Sequence, residues 1–358
     1  MRMTTQGSSL PHSKIGVELD NYTFSTSLLK FKLYETKARF YLIGTDKRKN
    51  QWKVLKIDRS EPTELNIFED PTSYTQHDCN NLLTRLNAGN QSTGGLKFVT
   101  KAYGILGFIK FLEPYYIFLI IKRRLLGVVS GFLVYGVAES RLICIAHPSF
   151  LSKVASSQEE NRYKKLFNSI DLTKDFFFSY TYQIMWSLQK NVLKCDKEKA
   201  PYEDMFVWNA FLTSQFREQG RNVQWLVALV HGYFKQMQLF EDGITITLIA
   251  RRSRHFAGTR YLKRGVNEKG QVANEVETEQ IVQEEFEGKL GQISSVVQHR
   301  GSIPLFWSQD TSILSPRPDI KLKREDSCYR ATKLHFENLV SRYGYPIIVL
   351  NLIKVPFL

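Results

Sequence analysis

From Leu29 onward, apolar and polar residues alternate in short runs. The stretches "FKLYETKARFYLIGT" and "WKVLKIDR" (52–59) are rich in aromatic and β-branched residues and predict strands. "TQHDCNNLLTRLNAGNQSTGG" (75–95) predicts a short helix followed by a glycine-rich loop. Three apolar runs follow: "GILGFIKFL", "YYIFLIIKRR" and "LLGVVSGFLVYGV". They predict an antiparallel meander, with turns at Glu113-Pro114 and at Arg123-Arg124. "SQEENRYKKLFNSI" is a charged amphipathic helix. In "DFFFSYTYQIMWSLQKNVL" (175–193) the start is strand-like, and Tyr182, Trp186, Gln189 and Leu193 share helical spacing. A polar loop is expected over Lys194–Pro201, and "FVWNAFLTSQF" (206–216) reads as a helix.

In the second half, "ITITLIARRSR", "VANEVETEQIV" and "SSVVQHR" predict strands. "ATKLHFENLVSRYG" predicts a helix with Gly344 as its C-cap. "YPIIVLNLI" then has the composition of a buried central strand. The first 28 residues read as a loosely ordered tail, and "REQGRN" (217–222) as a domain boundary.

Charge changes the picture. The 358 residues carry 49 Lys+Arg against 35 Asp+Glu, a net +14, so anionic partners are expected. An apolar content of 43%, with 24 Phe and 17 Tyr, excludes disorder for the bulk of the chain. The N-terminal residues do not form a secretory signal. The most apolar stretch, Tyr103–Ile121, is broken by Lys110, Glu113 and Pro114, so it predicts buried strands rather than a membrane span. Cys79, Cys144, Cys195 and Cys328 are scattered and fit a reducing compartment better than disulfides or zinc.

Phosphate loops, dinucleotide fingerprints, zinc motifs and nucleophile elbows are all missing, and no nucleic-acid-binding motif occurs. Cys79 and Arg85 satisfy C-x5-R, the spacing of cysteine-dependent phosphatases. Leu82, Leu83 and Leu86 instead suggest the buried side of a helix already under way. Glu275, Glu277 and Glu279 fall on one face of a strand, where they could hold a cation or meet a basic patch. The plainer expectation is a solvated strand face without metal. Arg251, Arg252, Arg254, His255, Arg260, Lys263 and Arg264 form a basic stretch suited to phosphate, or simply to a solvated loop.

Two blocks carry a family resemblance. "RRSRHFAGTRYLKRGVNEKGQVANEVETEQIV" (251–282) and "RGSIPLFWSQD" (300–310) resemble the signatures of the Sac-domain phosphoinositide phosphatases. "LYETKARFYLIG", "WKVLKIDR", "GILGFIKFLEPYYIFLIIKRR", "FFFSYTYQIMWSLQ" and "FVWNAFL" match the same family in order. The "YETKARFYLIG" and "ANEVETEQI" versions are most similar to its polyphosphoinositide phosphatase branch, with the plant vacuolar members nearest in character.

The resemblance implies a mixed fold, α+β or α/β. A β-rich N-terminal subdomain would cover 29–221, and the first half of an α/β phosphatase subdomain 222–358. It implies removal of a phosphate, the 5-phosphate, from phosphatidylinositol 3,5-bisphosphate by a cysteine nucleophile. The protein would work peripherally on the cytosolic face of a vacuolar or late endosomal membrane. An anionic phosphoinositide surface, and a complex with a scaffold and a phosphoinositide kinase, would be its partners, with no nucleic acid. No cofactor is implied, apart from a divalent metal in some members. Arg260, Lys263, Arg264 and Asn267 match one block, Asn274, Glu277 and Glu279 the next, and Trp307 the third. They are carried over as headgroup-side or scaffold positions, not as catalytic groups.

The family's catalytic loop is a C-x5-R within R-T-N-C-x-D-C-x-D-R-T-N, downstream of the strand that here reads "PIIVLNLIK". This sequence contains no such loop. The expectation is a truncated catalytic subdomain, with no catalytic residue of its own and an unpaired apolar strand. An active phosphatase, a noncatalytic lipid- or partner-binding fragment, and an incomplete gene model all stay open at this point.

Overall fold

Alternating residues at the start of the chain build a five-stranded antiparallel sheet. The computed structural model describes residues 27–193, 205–220, 222–239, 243–259, 262–286, 289–310 and 318–352. Strands β1 (Lys30–Glu35), β2 (Arg39–Thr45), β3 (Trp52–Asp58), β4 (Ile67–Glu69) and β5 (Lys97–Ala102) pair in the order β4-β3-β2-β1-β5. Helix α1 (Gln76–Gly89) begins with a capping box between Thr75 and Asp78. It buries Cys79 against Tyr41, Ile43, Trp52 and Val54 on one face of the sheet.

The other face of that sheet meets a second sheet. Strands β6 (Gly104–Lys110), β7 (Tyr115–Val129) and β8 (Phe132–Cys144) form the expected meander. Phe31, Leu33, Leu42 and Ile57 pack against Ile105, Ile117 and Leu119 in the shared core. Eight strands join this second sheet, in the order β13-β12-β11-β10-β9-β8-β7-β6. The later ones are β9 (Phe176–Phe178), β10 (Val230–Leu239), β11 (Ile244–Arg252), β12 (Val276–Phe286) and β13 (Lys289–Arg300). Helices α2 (Pro148–Ser156) and α3 (Gln158–Asn168) follow the meander, and a small ladder joins β14 (Trp307–Ser308) to β15 (Lys321–Leu322). The fold is therefore mixed and strand-rich, with large antiparallel sheets. Among the described residues, no helix is long and apolar enough to cross a membrane.

Helix α5 (Ala210–Glu218) lies directly on β6. Gly107 permits this approach: a Cβ there would come within 2.5 Å of Leu212, and its φ of +142° suits glycine alone. The preceding Asn209 is buried and works as a clasp. Its Nδ2 donates to the carbonyls of Leu106 and Val227, both at 2.8 Å, while its Oδ1 accepts from the Leu229 amide at 2.8 Å.

Three expectations are corrected. Arg123-Arg124 is not a turn, because β7 runs through it and the chain reverses at Ser130-Gly131. The Arg123 guanidinium lies 4.1–5.0 Å from the ring centres of Tyr103, Tyr135 and Tyr180, so aromatic faces accommodate its charge within the strand. The helical spacing from Tyr182 onward yields only a six-residue helix, α4 (Leu188–Leu193). Finally, "YPIIVLNLI" is no buried strand over its described part, Tyr345–Leu352. No ladder partner for it exists among the described residues, and Ile348 and Leu350 are 87% and 83% exposed. Its composition suits a central strand, but a strand also needs neighbours. The helix before it, α6 (Arg330–Tyr343), ends as expected at Gly344, with φ +78°. Lys194–Pro201 and Cys195 lie outside the described residues.

The Asn209 clasp gives a direct test. Asn209→Leu strands three buried backbone groups and should lower unfolding free energy by about 2–4 kcal/mol in urea titration. A change below about 0.5 kcal/mol would mean that these groups find other partners.

Candidate functional site

Register decides what the conspicuous glutamates do. The β11–β12 ladder places Arg251 opposite Glu277 and Ile249 opposite Glu279. Arg251 is fully buried, and its Nη1 donates to Glu277 at 2.8 Å and its Nη2 to Glu279 at 2.6 Å. Burial opposes the charge, but the two carboxylates outweigh it and raise the guanidinium pKa further. The remaining donors reach backbone: Nε to the Ile184 carbonyl at 2.7 Å and Nη2 to that of Trp186 at 2.9 Å. Glu279 also accepts from the Leu188 amide at 2.7 Å. Glu279 thereby satisfies the first amide of α4, which begins at Leu188.

The same strand face continues under α6. Glu275 accepts from Arg342 at 2.6 Å and bonds His299 Nε2 at 2.7 Å. Burial would raise its pKa, but His299 and Arg342 together hold the carboxyl below its ordinary value. The Tyr343 hydroxyl donates to Glu277, and burial followed by that carboxylate pushes its pKa up. His335 is buried beside them, with Nδ1 3.2 Å from the Gly270 carbonyl. The glutamates do share one face, as their spacing requires, but that face is buried rather than solvated. Each is already bonded to a cation or a phenol, so the set does not fit a resident metal ion. No cluster of metal-ligating residues occurs among the described residues.

The basic stretch is likewise more internal than a solvated loop. Arg252 donates from Nη2 to the Gly258 carbonyl at 2.7 Å and to Asn274 Oδ1 at 2.9 Å. Asn274 holds φ at +54°, which asparagine tolerates better than most residues, and its Oδ1 also accepts from the Gly258 amide at 3.2 Å. It therefore fixes both ends of the loop between β11 and β12. Asn267 closes a turn, its Oδ1 accepting from the amides of Lys269 and Gln271, each at 3.0 Å. Arg264 donates to Gln309 at 2.9 Å and lies 5.5 Å from the Trp307 ring centre. Trp307 is buried and donates to the Ile303 carbonyl at 3.1 Å. Lys263 is exposed, its Nζ 5.1 Å from the Phe256 ring centre. Arg260 lies outside the described residues.

The structure thus joins Glu277 and Glu279 in one cluster and Arg264 and Trp307 in another, with Asn274 bracing the loop between. Reasoning from sequence missed Arg251 as the hub, and His299, Arg342 and Tyr343 as partners of the glutamates. Only the strand register could have exposed them. A groove of about 1820 Å³ opens beside these clusters, with Arg264, Thr278, His299, Trp307 and Arg342 along its walls. As for Cys79, it sits in the first turn of α1, is 1% exposed, and burial raises its thiol pKa. Burial also raises that of Cys144. Neither is a poised thiolate.

Two outcomes follow from these clusters. Arg251→Met leaves two buried carboxylates without their cation and should cost about 3–5 kcal/mol of stability. Adding Glu277→Gln and Glu279→Gln should recover most of it, as read by chemical unfolding. The second concerns acid. Burial lowers the pKa of His335 below its ordinary 6.5, and that of His231 likewise. Both take up protons more readily unfolded, so stability present at neutral pH is lost as pH falls below the unfolded value. The melting temperature should drop from about pH 7.5 to about 5.5, and His335→Gln should flatten that slope. Parallel profiles for the two proteins would remove His335 from the account.

Comparison with known proteins agrees with this architecture. The SacI homology domain matches residues 103–356. The chain is 59% identical over 333 residues to phosphoinositide phosphatase SAC2 of Arabidopsis thaliana, covering 92% of this chain and 41% of that protein. It is 58% identical over 333 residues to the Arabidopsis phosphatidylinositol-3-phosphatase SAC1, covering 92% and 36%. Identity to the polyphosphoinositide phosphatase of Schizosaccharomyces pombe is 37% over 343 residues, covering 91% and 40%. The chain therefore spans about two fifths of the length of these curated relatives. With the match running through both clusters and the groove beside them, the chain belongs to the SacI homology domain family of phosphoinositide phosphatases.

Proposed function

We propose that this chain provides the scaffold and headgroup-side part of a phosphatase acting on phosphatidylinositol 3,5-bisphosphate, and that it has no nucleophile of its own. The observation that carries the second half is the state of its described thiols. Cys79 is buried in a helix-on-sheet core and Cys144 closes a strand, and burial disfavours the thiolate in both. Cysteine-dependent phosphoryl transfer needs an ionised, accessible sulfur with amides and an arginine around the phosphate. Neither site offers that, and the third described thiol, Cys328, is exposed but has Leu334 where the C-x5-R spacing would put an arginine. The 3,5-bisphosphate and its 5-phosphate come from the resemblance to the polyphosphoinositide branch, which the name of the Schizosaccharomyces relative, polyphosphoinositide phosphatase, supports at the level of polyphosphoinositides.

In this reading Arg251, Glu277, Glu279 and Asn274 hold the 251–282 block in shape. Lys263 is its solvated cation and faces the headgroup, with Arg264 steadied over Trp307 behind it. The site of action is the cytosolic face of a vacuolar or late endosomal membrane.

The test is phosphate release from phosphatidylinositol 3,5-bisphosphate by the purified 358-residue chain, beside Cys79→Ser. Neither protein should release phosphate above background. Release that disappears with Cys79→Ser would overturn the proposal and make Cys79 a nucleophile. In a parallel binding assay with short-chain lipids, the 3,5-bisphosphate should bind more tightly than the 3-phosphate, and Lys263→Ala should narrow the difference.

A further inference from the structure

The five-stranded sheet has a strongly basic end, far along the chain from the 251–282 and 300–310 blocks. The β2–β3 hairpin presents Lys47, Arg48 and Lys49 in succession, all exposed. Beside it, β1 sets Lys30 opposite Thr45, the residue that leads into the hairpin. Lys32 projects from the same face of β1 as Lys30, and its partner across the β1–β5 ladder is Lys101. Like charges directly opposed in a ladder destabilise it, so nothing in the fold's own stability calls for this pair.

The arrangement is held in place from beneath. Asp46 is buried, and its Oδ1 accepts from the amides of Asn50 at 2.9 Å and Gln51 at 3.3 Å, fixing the hairpin tip. Trp52 donates from its indole to the Lys49 carbonyl at 3.2 Å, and the Lys32 ammonium lies 6.0 Å from its ring centre. One buried tryptophan thus ties the tip to the strand lysines. Two carboxylates of this region among the described residues bond to neighbouring amides and a hydroxyl. Asp46 binds backbone, and Asp78 on α1 closes the capping box with Thr75. At the opposite end of the sheet, Glu35 pairs with Arg59 and Asp58 with Arg39. Phe98 lies toward the Glu35 end, opposite Tyr34 with their ring centres 5.6 Å apart, and so stands outside the basic end.

We infer that this end of the sheet docks the protein on the surface of an anionic lipid bilayer, separately from any headgroup in the groove. Five lysines and an arginine clustered at one end of a sheet suit the headgroup layer, where cations meet anionic lipid. The choice of a membrane rests on the phosphoinositide reading above; the charge geometry does not.

The experiment is cosedimentation of the full chain with vesicles of phosphatidylcholine containing 30% phosphatidylserine and no phosphoinositide. The chain should bind, release in high salt, and ignore pure phosphatidylcholine. Lys47→Ser/Arg48→Ser/Lys49→Ser should weaken binding by at least about tenfold. Lys32→Gln/Lys101→Gln, away from the turn, should weaken it about fivefold or more. Unchanged melting temperatures exclude misfolding as the cause. Retention of parental binding by both variants overturns the inference, as does complete displacement of the bound chain by RNA at equal charge. A phosphoinositide-dependent increase that survives in the variants would leave the headgroup reading standing while this docking surface fell.

Discussion

A guanidinium with no exposure to water must find its partners within the protein, and each of the three nitrogens of Arg251 does so. Two carboxylates from β12 neutralise it, and two carbonyls from the segment before α4 also accept from it. The β11–β12 register, the path of residues 184–188 and the burial of an acidic strand face are all consequences. A well-packed apolar core would serve stability as well or better. What the ion cluster adds is a single permitted register, since a shift by one residue would turn all three glutamates to the opposite face of the sheet.

That constraint accounts for the character of the 251–282 block. It is dense in charge, yet most of that charge is spent internally. Arg251 and Arg252 hold carboxylates, an amide and backbone; Asn274 braces a loop; Glu275 anchors α6 through Arg342. Lys263 remains among the solvated groups. A run of three exposed cations lies on the far sheet, at the β2–β3 hairpin. The groove and the basic end are thus separate surfaces, supported by separate cores.

Much of the architecture was legible because local chemistry and tertiary context agreed. The alternation in β1 to β3, the short helix before the glycine-rich loop and the glycine after Tyr343 each have a local cause and appear where the sequence puts them. Failures arose where a distant group overrode the local pattern. Arg123-Arg124 looked like a turn because two adjacent cations rarely lie inside a sheet, and only the three tyrosines explain the exception. Tyr182, Trp186, Gln189 and Leu193 share helical spacing, but only Leu188–Leu193 is helical, and the carbonyls of Ile184 and Trp186 accept from Arg251 on a strand more than sixty residues away. Glu277 and Glu279 were correctly placed on one face, yet spacing says nothing of what lies opposite. The described part of "YPIIVLNLI" has strand composition without a ladder, because composition cannot supply a neighbour.

The bonds that fix residues 184–188 have a consequence in time. They join positions separated by 65 to 91 residues, from Arg251 back to Trp186 and from Glu279 back to Leu188. A ribosome delivers the earlier segment well before the strands that shape it. At roughly 5–20 residues per second, the delay is several seconds or more, far longer than helix formation takes. Throughout that interval the segment lacks the strands that shape it. The path of residues 184–188 therefore becomes fixed only once β11 and β12 have emerged.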